Sequence, residues 1–178
     1  MHRRIMVTGI DPINVELLSV ACDVIEVRFD AVCLFEEPLA APESAYDPGR
    51  GQYRSDVLLG YLRLLTPERV EKLIALTELD LYVPGLNFVF GQAELGGRDA
   101  LVSVARLRPE FYGDPPDPLL FHARVRKEVV HELGHTYGLE HCPDPRCVMS
   151  FSNSIVDVDR KSSQFCERCR RKLQSLMR

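Results

Sequence analysis

One twelve-residue stretch constrains this chain more than any other, because it fixes the spacing of three histidines, a glutamate and a glycine. It runs from His131 to Cys142 and reads H-E-L-G-H-T-Y-G-L-E-H-C, the pattern H-E-x-x-H-x-x-G-x-x-H followed by a cysteine. Residues four apart share one face of an α-helix, so His131 and His135 can bind the same zinc ion. Glu132 then lies beside the ion, where it can act as a general base.

The third histidine, His141, can reach that ion only if the helix ends before it. A continued helix would carry its ring roughly 9 Å further along the axis. Gly138 suits such an ending, because glycine enters the left-handed region at little cost. An amphipathic helix with solvated histidines would explain H-E-x-x-H alone, but not the added glycine and histidine. The stretch therefore predicts a hydrolytic zinc site held by three imidazoles.

Four of the six cysteines form a second pattern of metal-ligand type. Cys142 and Cys147 make a C-x4-C pair, and Cys166 and Cys169 make a later C-x2-C pair. Two close pairs separated by a long segment are typical of a closed, structural zinc site with four thiolates. The alternatives are two disulfides or four idle thiols. Disulfides need an oxidising compartment, and C-x2-C closes too short a loop for a typical structural one.

The adjacency of His141 and Cys142 links the two patterns. Neighbouring side chains of an extended chain point to opposite sides, so one residue would serve each ion. The remaining cysteines, Cys22 and Cys33, have no metal-ligand spacing and lie among apolar residues. We expect both to be small buried hydrophobes.

Beyond these patterns, the chain resembles the archaemetzincin family of metzincin-type zinc proteases. The resemblance rests on the histidine motif, on C-x4-C-x-M and on the later C-x2-C, which together cover about residues 128–172. It implies a catalytic zinc on His131, His135 and His141, with Glu132 as general base. It also implies a second, structural zinc on the four cysteines, and hence two Zn²⁺ per chain.

The same resemblance gives Met149 a role that composition alone would not suggest. Without it, Met149 would be an ordinary core methionine. With it, Met149 forms the methionine turn beneath the catalytic metal. No tyrosine follows this turn as an extra ligand or transition-state donor, so no residue is assigned to oxyanion stabilisation.

Length and composition exclude several classes of protein. The 178 residues suffice for one domain, and the net charge of −4 argues against general nucleic-acid affinity. No apolar run is long enough to span a bilayer, and the N-terminal apolar run is too short for a signal-peptide core. Together with cysteines expected to be reduced, these features predict a cytoplasmic protein with one catalytic domain, residues 1–178. It would divide into an N-terminal subdomain, 1–138, and a C-terminal subdomain, 139–178.

Periodicity predicts an α/β (α+β) fold with a mixed sheet. The predicted strands are residues 4–8, 24–29, 73–83, 87–92 and 100–105, and the predicted helices are 14–22, 53–65, 119–137 and 162–176. The last two strands would form an antiparallel hairpin through Gly96 and Gly97. The resemblance adds a metzincin-like, twisted five-stranded sheet whose antiparallel edge strand, best matched by 87–92, borders the cleft. It also adds an active-site helix and a short C-terminal subdomain.

Three functions are compatible with these features. A zinc metallopeptidase acting on a peptide or protein is favoured. A zinc-stabilised peptide- or protein-binding module with little or no turnover is the alternative. A nucleic-acid-binding zinc ribbon is disfavoured, because the thiolate charge already explains the nearby arginines. The sequence carries no signal for an oligomeric state.

Overall fold

A computed structural model describes residues 3–178, arranged around a five-stranded sheet that is parallel except at one edge. The strands are β1 (Arg3–Ile10), β2 (Ala31–Phe35), β3 (Tyr46–Asp47), β4 (Gln52–Arg54), β5 (Lys72–Thr77), β6 (Leu81–Tyr82), β7 (Gly91–Ala93) and β8 (Asp99–Ser103). The main sheet has the order β2-β1-β5-β8-β7, and only β7 is antiparallel to its neighbour. A mixed five-stranded sheet with an antiparallel edge is thus confirmed.

Helices cover both faces of this sheet. They are α1 (Glu16–Phe29), α2 (Ser55–Leu65), α3 (Pro118–Thr136), α4 (Ile155–Arg160) and α5 (Glu167–Leu176), with 3-10 turns at Glu43–Ala45, Ala105–Leu107 and Pro109–Tyr112. Alternate strand residues point to opposite faces, so Ile5 and Val7 of β1 join the core under α1 and α3. Met6 and Ile10 join the separate core under α2. The result is an α/β sandwich with α3 along one face.

The prediction of a strand at residues 24–29 is wrong, because this segment is the second half of α1. Its alternating pattern also fits a helix: Ala21, Ile25 and Phe29 are buried at a spacing of four. The helix ends at Phe29, and the next residue, Asp30, adopts a left-handed conformation with φ of 49°. The strand comes immediately afterwards, as β2, and pairs in parallel with β1.

The expectation that Cys22 and Cys33 are two separate buried hydrophobes is also wrong. The structure joins them in a disulfide, with their Cα atoms 5.6 Å apart. Cys22 lies on α1 and Cys33 on β2, and the tight reversal at Asp30 brings the two elements side by side. The predicted strand at 24–29 did not bring Cys22 and Cys33 together, because it ended the helix at Cys22 and not at Phe29.

Several predicted boundaries shift. The strand predicted at 73–83 is divided into β5 and β6, and β6 pairs with β4 in a three-stranded sheet that the sequence did not predict. The edge strand predicted at 87–92 is the shorter β7, while Val89 makes only an isolated bridge to Leu81. The C-terminal helix begins at Glu167, five residues later than predicted, and α4 was not predicted. Among residues 3–178, no helix is both long and apolar enough to cross a membrane.

Candidate active site

Helix α3 carries two of the three motif histidines, and both of its ends are defined by local chemistry. At the start, the Asp117 carboxylate accepts a hydrogen bond from the Leu120 N–H at 3.0 Å, and Pro118 occupies the first turn. At the end, Gly138 adopts a φ of 93°, and the Leu139 N–H donates to the Gly134 carbonyl. The predicted ending at Gly138 is confirmed, and the chain then turns back toward the helix.

This turn brings His141 to the other two histidines. One ring nitrogen from each of His131, His135 and His141 lies within 4.8 Å of the others. The Nε2 atoms of His131 and His135 are only 3.1 Å apart. The rings of His131 and His141 also face one another, with centroids 5.3 Å apart. His131 is buried, whereas His141 is exposed, so the cluster opens on one side to solvent.

The hydrogen bonds of the rings fit a bound cation. The Nδ1 of His131 is 2.8 Å from the Val148 carbonyl, and the Nδ1 of His135 is 2.7 Å from the Leu139 carbonyl. A carbonyl oxygen can only accept, so both Nδ1 atoms carry the proton and both Nε2 atoms present lone pairs. Two lone pairs at this separation repel unless a cation lies between them. The donor set therefore fits zinc.

The electrostatics of the cluster favour neutral, metal-binding imidazoles. Burial lowers the pKa of His131 well below its ordinary value, and the charge of Lys161 lowers it further. Burial also lowers the pKa of His135 and of His141. A metal ion needs the unprotonated ring, so these shifts prepare the three side chains to bind one.

Glu132 is buried beside the cluster, where the edge strand β7 presses against it. A Cβ placed on Gly91 would lie 2.7 Å from Glu132 Oε1 and 2.6 Å from the Leu101 carbonyl oxygen. Only glycine leaves room for the carboxylate at this point. Burial raises the pKa of Glu132 well above its ordinary value, Glu128 raises it further, and Lys161 opposes the rise. A divalent cation on the histidines would oppose it as well.

Met149 lies beneath α3 and is fully buried. A Cβ on Gly134 would lie 2.4 Å from Met149 Sδ, so the first glycine of the stretch His131–Cys142 makes room for the sulfur. The preceding residue, Val148, supplies the carbonyl that accepts from His131. The Met149 segment therefore supports the floor of the histidine cluster through packing and through one hydrogen bond.

The four cysteines of the second pattern also come together. Their Sγ atoms lie within 4.8 Å of one another, and none of the four is in a disulfide. The sulfurs of Cys142 and Cys166 are 3.8 Å apart, too far for a disulfide bond between them. Arg168 donates to Cys142 Sγ at 3.2 Å, and the Cys166 N–H lies 3.3 Å from Cys147 Sγ. The set fits a tetrahedral zinc ion held by thiolates.

Two charged residues of the site were missed by sequence reasoning. Lys161 and Glu128 form a buried ion pair, with Nζ and Oε1 2.8 Å apart, next to His131. Glu128 could have been found, because it lies four residues before Glu132 and therefore on the same face of α3. Lys161 carries no such signal, since it reaches the site from the end of α4.

The cluster opens into a cleft of about 500 Å³. One wall is the outer strand β7 with the chain leading into it, residues 85–93, and the other is α3 with residues 151–153. Within residues 3–178, β7 is the outer strand of the main sheet and pairs there with β8. An outer strand beside such a cleft can hold an extended peptide by main-chain hydrogen bonds.

Comparison with known proteins gives consistent results. The model of peptidase family M54 matches residues 4–175. An archaemetzincin from Methanocaldococcus jannaschii is 44% identical over 177 residues, which cover 98% of this chain and 94% of that protein. One from Methanopyrus kandleri is 56% identical over 133 residues, covering 75% of this chain and 72% of that protein.

Solved structures agree with these sequence matches. The crystal structure of an archaemetzincin from Methanopyrus kandleri has a TM-score of 0.88 and 44% identity, and the match covers 98% of this chain and 95% of that one. A zinc-dependent peptidase from Methanocorpusculum labreanum has a TM-score of 0.84 and 28% identity, over 95% of this chain and 99% of that one.

Proposed function

Because the chain belongs to peptidase family M54 together with the archaemetzincins, we propose that it hydrolyses peptide bonds with Glu132 as general base. The chain is a zinc metallopeptidase, and the proposal assigns its parts. His131, His135 and His141 would hold the catalytic zinc. This assignment rests on the Nε2 atoms of His131 and His135, which present lone pairs only 3.1 Å apart. They face the cleft and lie beside the buried Glu132 carboxylate.

Zinc in a site of three histidines polarises a carbonyl oxygen and lowers the pKa of a bound water to about 7. The Glu132 carboxylate accepts a proton from the attacking water and later donates it to the nitrogen of the leaving amine. Gly91 allows the edge strand to approach that carboxylate, which keeps the extended substrate close to it. His131 and His135 need no proton exchange, because their Nδ1–H groups remain bound to carbonyls.

The second half of the proposal is a structural zinc on Cys142, Cys147, Cys166 and Cys169. With four protein ligands such an ion has no open position, so it contributes to folding and not to chemistry. Met149 would act as the methionine turn that supports the histidines.

The predicted subdomain boundary at residues 138 and 139 remains a proposal, as does cytoplasmic residence. The Cys22–Cys33 disulfide weakens the argument from reduced cysteines on which cytoplasmic residence was based.

The test compares Glu132→Gln with the zinc-loaded wild type in the digestion of a broad peptide library, read by mass spectrometry. We expect cleavage to disappear in the variant while both proteins retain two zinc ions per chain. Glu140→Gln is the matched control, because Glu140 is an exposed glutamate of the same stretch whose carboxylate forms a surface ion pair with Lys172. It should cleave like the wild type.

Two results would overturn the proposal. Full activity in Glu132→Gln would remove Glu132 from the mechanism. No cleavage by the zinc-loaded wild type would instead favour the alternative, a peptide- or protein-binding module that uses the same cleft without turnover.

A further inference from the structure

Lys161 is the least expected residue in the wall of the histidine site. It follows the last residue of α4, and its side chain is 0% exposed. Its Nζ lies 2.8 Å from Glu128 Oε1, 3.5 Å from His131 Nδ1 and 3.4 Å from the Ser150 carbonyl. Lysine is almost never fully buried unless paired, so its position beside a metal ligand needs a reason.

The partner of Lys161 is a carboxylate that could itself bind a metal. Glu128 lies four residues before Glu132 on α3, lines the cleft and has a side chain only 3% exposed. Within residues 3–178, its Oε1 has no hydrogen bond of good geometry, although Lys161 Nζ is close. The Glu128 carboxylate is therefore held in place by charge attraction to Lys161, because no directional hydrogen bond from the described part of the chain fixes its Oε1.

A free carboxylate at this point would compete with the chemistry of the site. Three histidines leave a zinc ion one open position for water or substrate, whereas a fourth protein ligand closes the site. An added oxygen ligand also favours harder ions such as Mn²⁺ over Zn²⁺. A carboxylate that joined the three histidines as a ligand would thus change both turnover and metal choice.

We propose that Lys161 is a positioning residue that keeps the Glu128 carboxylate away from the three histidines, so that the catalytic site has nitrogen ligands and one open position. The inference rests on the proposed zinc site. Glu128 in turn neutralises Lys161, whose uncompensated charge 3.5 Å from His131 would repel a cation. Lys161 thus prevents Glu128 from becoming a ligand, and Glu128 prevents Lys161 from repelling the cation.

A neighbouring ion pair provides the comparison. Arg124 of α3 and Asp159 of α4 join the same two helices, with guanidinium-to-carboxylate distances of 2.7 and 2.8 Å. Neither residue lines the cleft or contacts a histidine of the site within residues 3–178. If Lys161 served only to attach α4 to α3, the two pairs would be equivalent. If Lys161 positions Glu128, only the Lys161–Glu128 pair affects the metal preference of the histidine site.

The experiment measures metal preference at the histidine site by competition between Zn²⁺ and Mn²⁺, with Co²⁺ absorption to report the ligands. Thiolate-bound Co²⁺ has a separate absorption band, so the cysteine site does not interfere. In Lys161→Met we expect the preference to shift toward Mn²⁺ by about tenfold, because Glu128 becomes a ligand. In Glu128→Gln we expect zinc affinity at the histidines to fall by about tenfold through charge repulsion.

The double variant, Lys161→Met with Glu128→Gln, removes both charges and should bind zinc more tightly than Glu128→Gln alone, with the wild-type preference. A packing role for the pair predicts instead that the double variant is worse than either single one, and that result would overturn the proposal. The double variant also keeps the test decisive if Lys161→Met fails to fold. Asp159→Asn should lower stability without changing metal preference, and a shift there equal to that of Lys161→Met would also refute the idea.

The two proposals fail in distinguishable ways. Wild-type protein that binds no zinc at the histidines contradicts the proposed function. Wild-type protein that binds zinc there, with variants of unchanged preference, contradicts only the role of Lys161.

Discussion

The histidine site and the cysteine site are adjacent in the chain but opposite in construction. The three histidines open into a cleft, and one of them, His141, is exposed. Three of the four cysteines are buried, the Cys166 N–H contacts Cys147 Sγ, and Arg168 donates to Cys142 Sγ. An open position permits chemistry, whereas a closed set of ligands contributes only to stability. The comparison shows how one short segment can support both.

That segment is residues 141–149. His141 belongs to the first site and Cys142 to the second, and the Cys142 N–H donates to the Met149 carbonyl at 2.9 Å. Val148, between Cys147 and Met149, accepts from His131. The closed site supplies two of its four cysteines from this segment, whereas the open site supplies His141 and the hydrogen bond from His131 to Val148. We therefore expect the closed site to stabilise this backbone more than the open site does. The dependence should be asymmetric, and variants can test this.

The largest effect is expected from Cys147→Ser, which breaks the closed site. Loss of a thiolate should release the structural zinc and, because metal-binding energy is folding energy in such sites, loosen residues 141–149. We expect fewer than one zinc ion per chain, a large fall in the unfolding temperature and loss of peptidase activity. Metal analysis and thermal unfolding measure these changes. A variant that retained a fully loaded, active histidine site would show that the two sites are independent.

A smaller effect on the fold is expected from His135→Ala, which breaks the open site. The variant should lose one zinc ion and all activity, but the lost hydrogen bond to Leu139 is worth only about 1 kcal/mol. Its unfolding temperature should therefore fall much less than that of Cys147→Ser, with the cysteine zinc retained. If both variants unfolded equally, the proposed division between stability and chemistry would be wrong.

Sequence reasoning succeeded where chemistry is local and failed where it depends on contacts between distant elements. The family and the mixed sheet were predicted correctly, and the residues proposed as ligands lie in short motifs whose spacing carries the information. The segment 24–29 was misread because its apolar pattern fits both a strand and a helix, and the misreading concealed the Cys22–Cys33 disulfide. Lys161 was missed because its position beside His131 depends on the packing of α4.

Gly91 is another residue that the sequence did not single out, and it gives the smallest and most specific test of the comparison. Gly91→Ala would place a methyl group 2.7 Å from Glu132 Oε1, so the carboxylate or the edge strand must move. Misplacement of a catalytic group by about 1 Å costs roughly 100-fold in rate, so we expect kcat/KM to fall by about that factor. Both zinc ions should remain, because the atoms nearest the new methyl group belong to Leu101 and Glu132, neither of which is a proposed ligand.

Gly60→Ala is the control for the substitution itself. Gly60 lies within α2, and a Cβ there meets nothing within 4 Å. Alanine should stabilise that helix by up to about 1 kcal/mol and leave peptide hydrolysis unchanged. If Gly91→Ala lost both zinc and kcat/KM, the role of β7 would be to support the ligands. If the variant instead retained zinc but lost rate, the methyl group would act on Glu132, and the effect of Gly91→Ala would be confined to the histidine site.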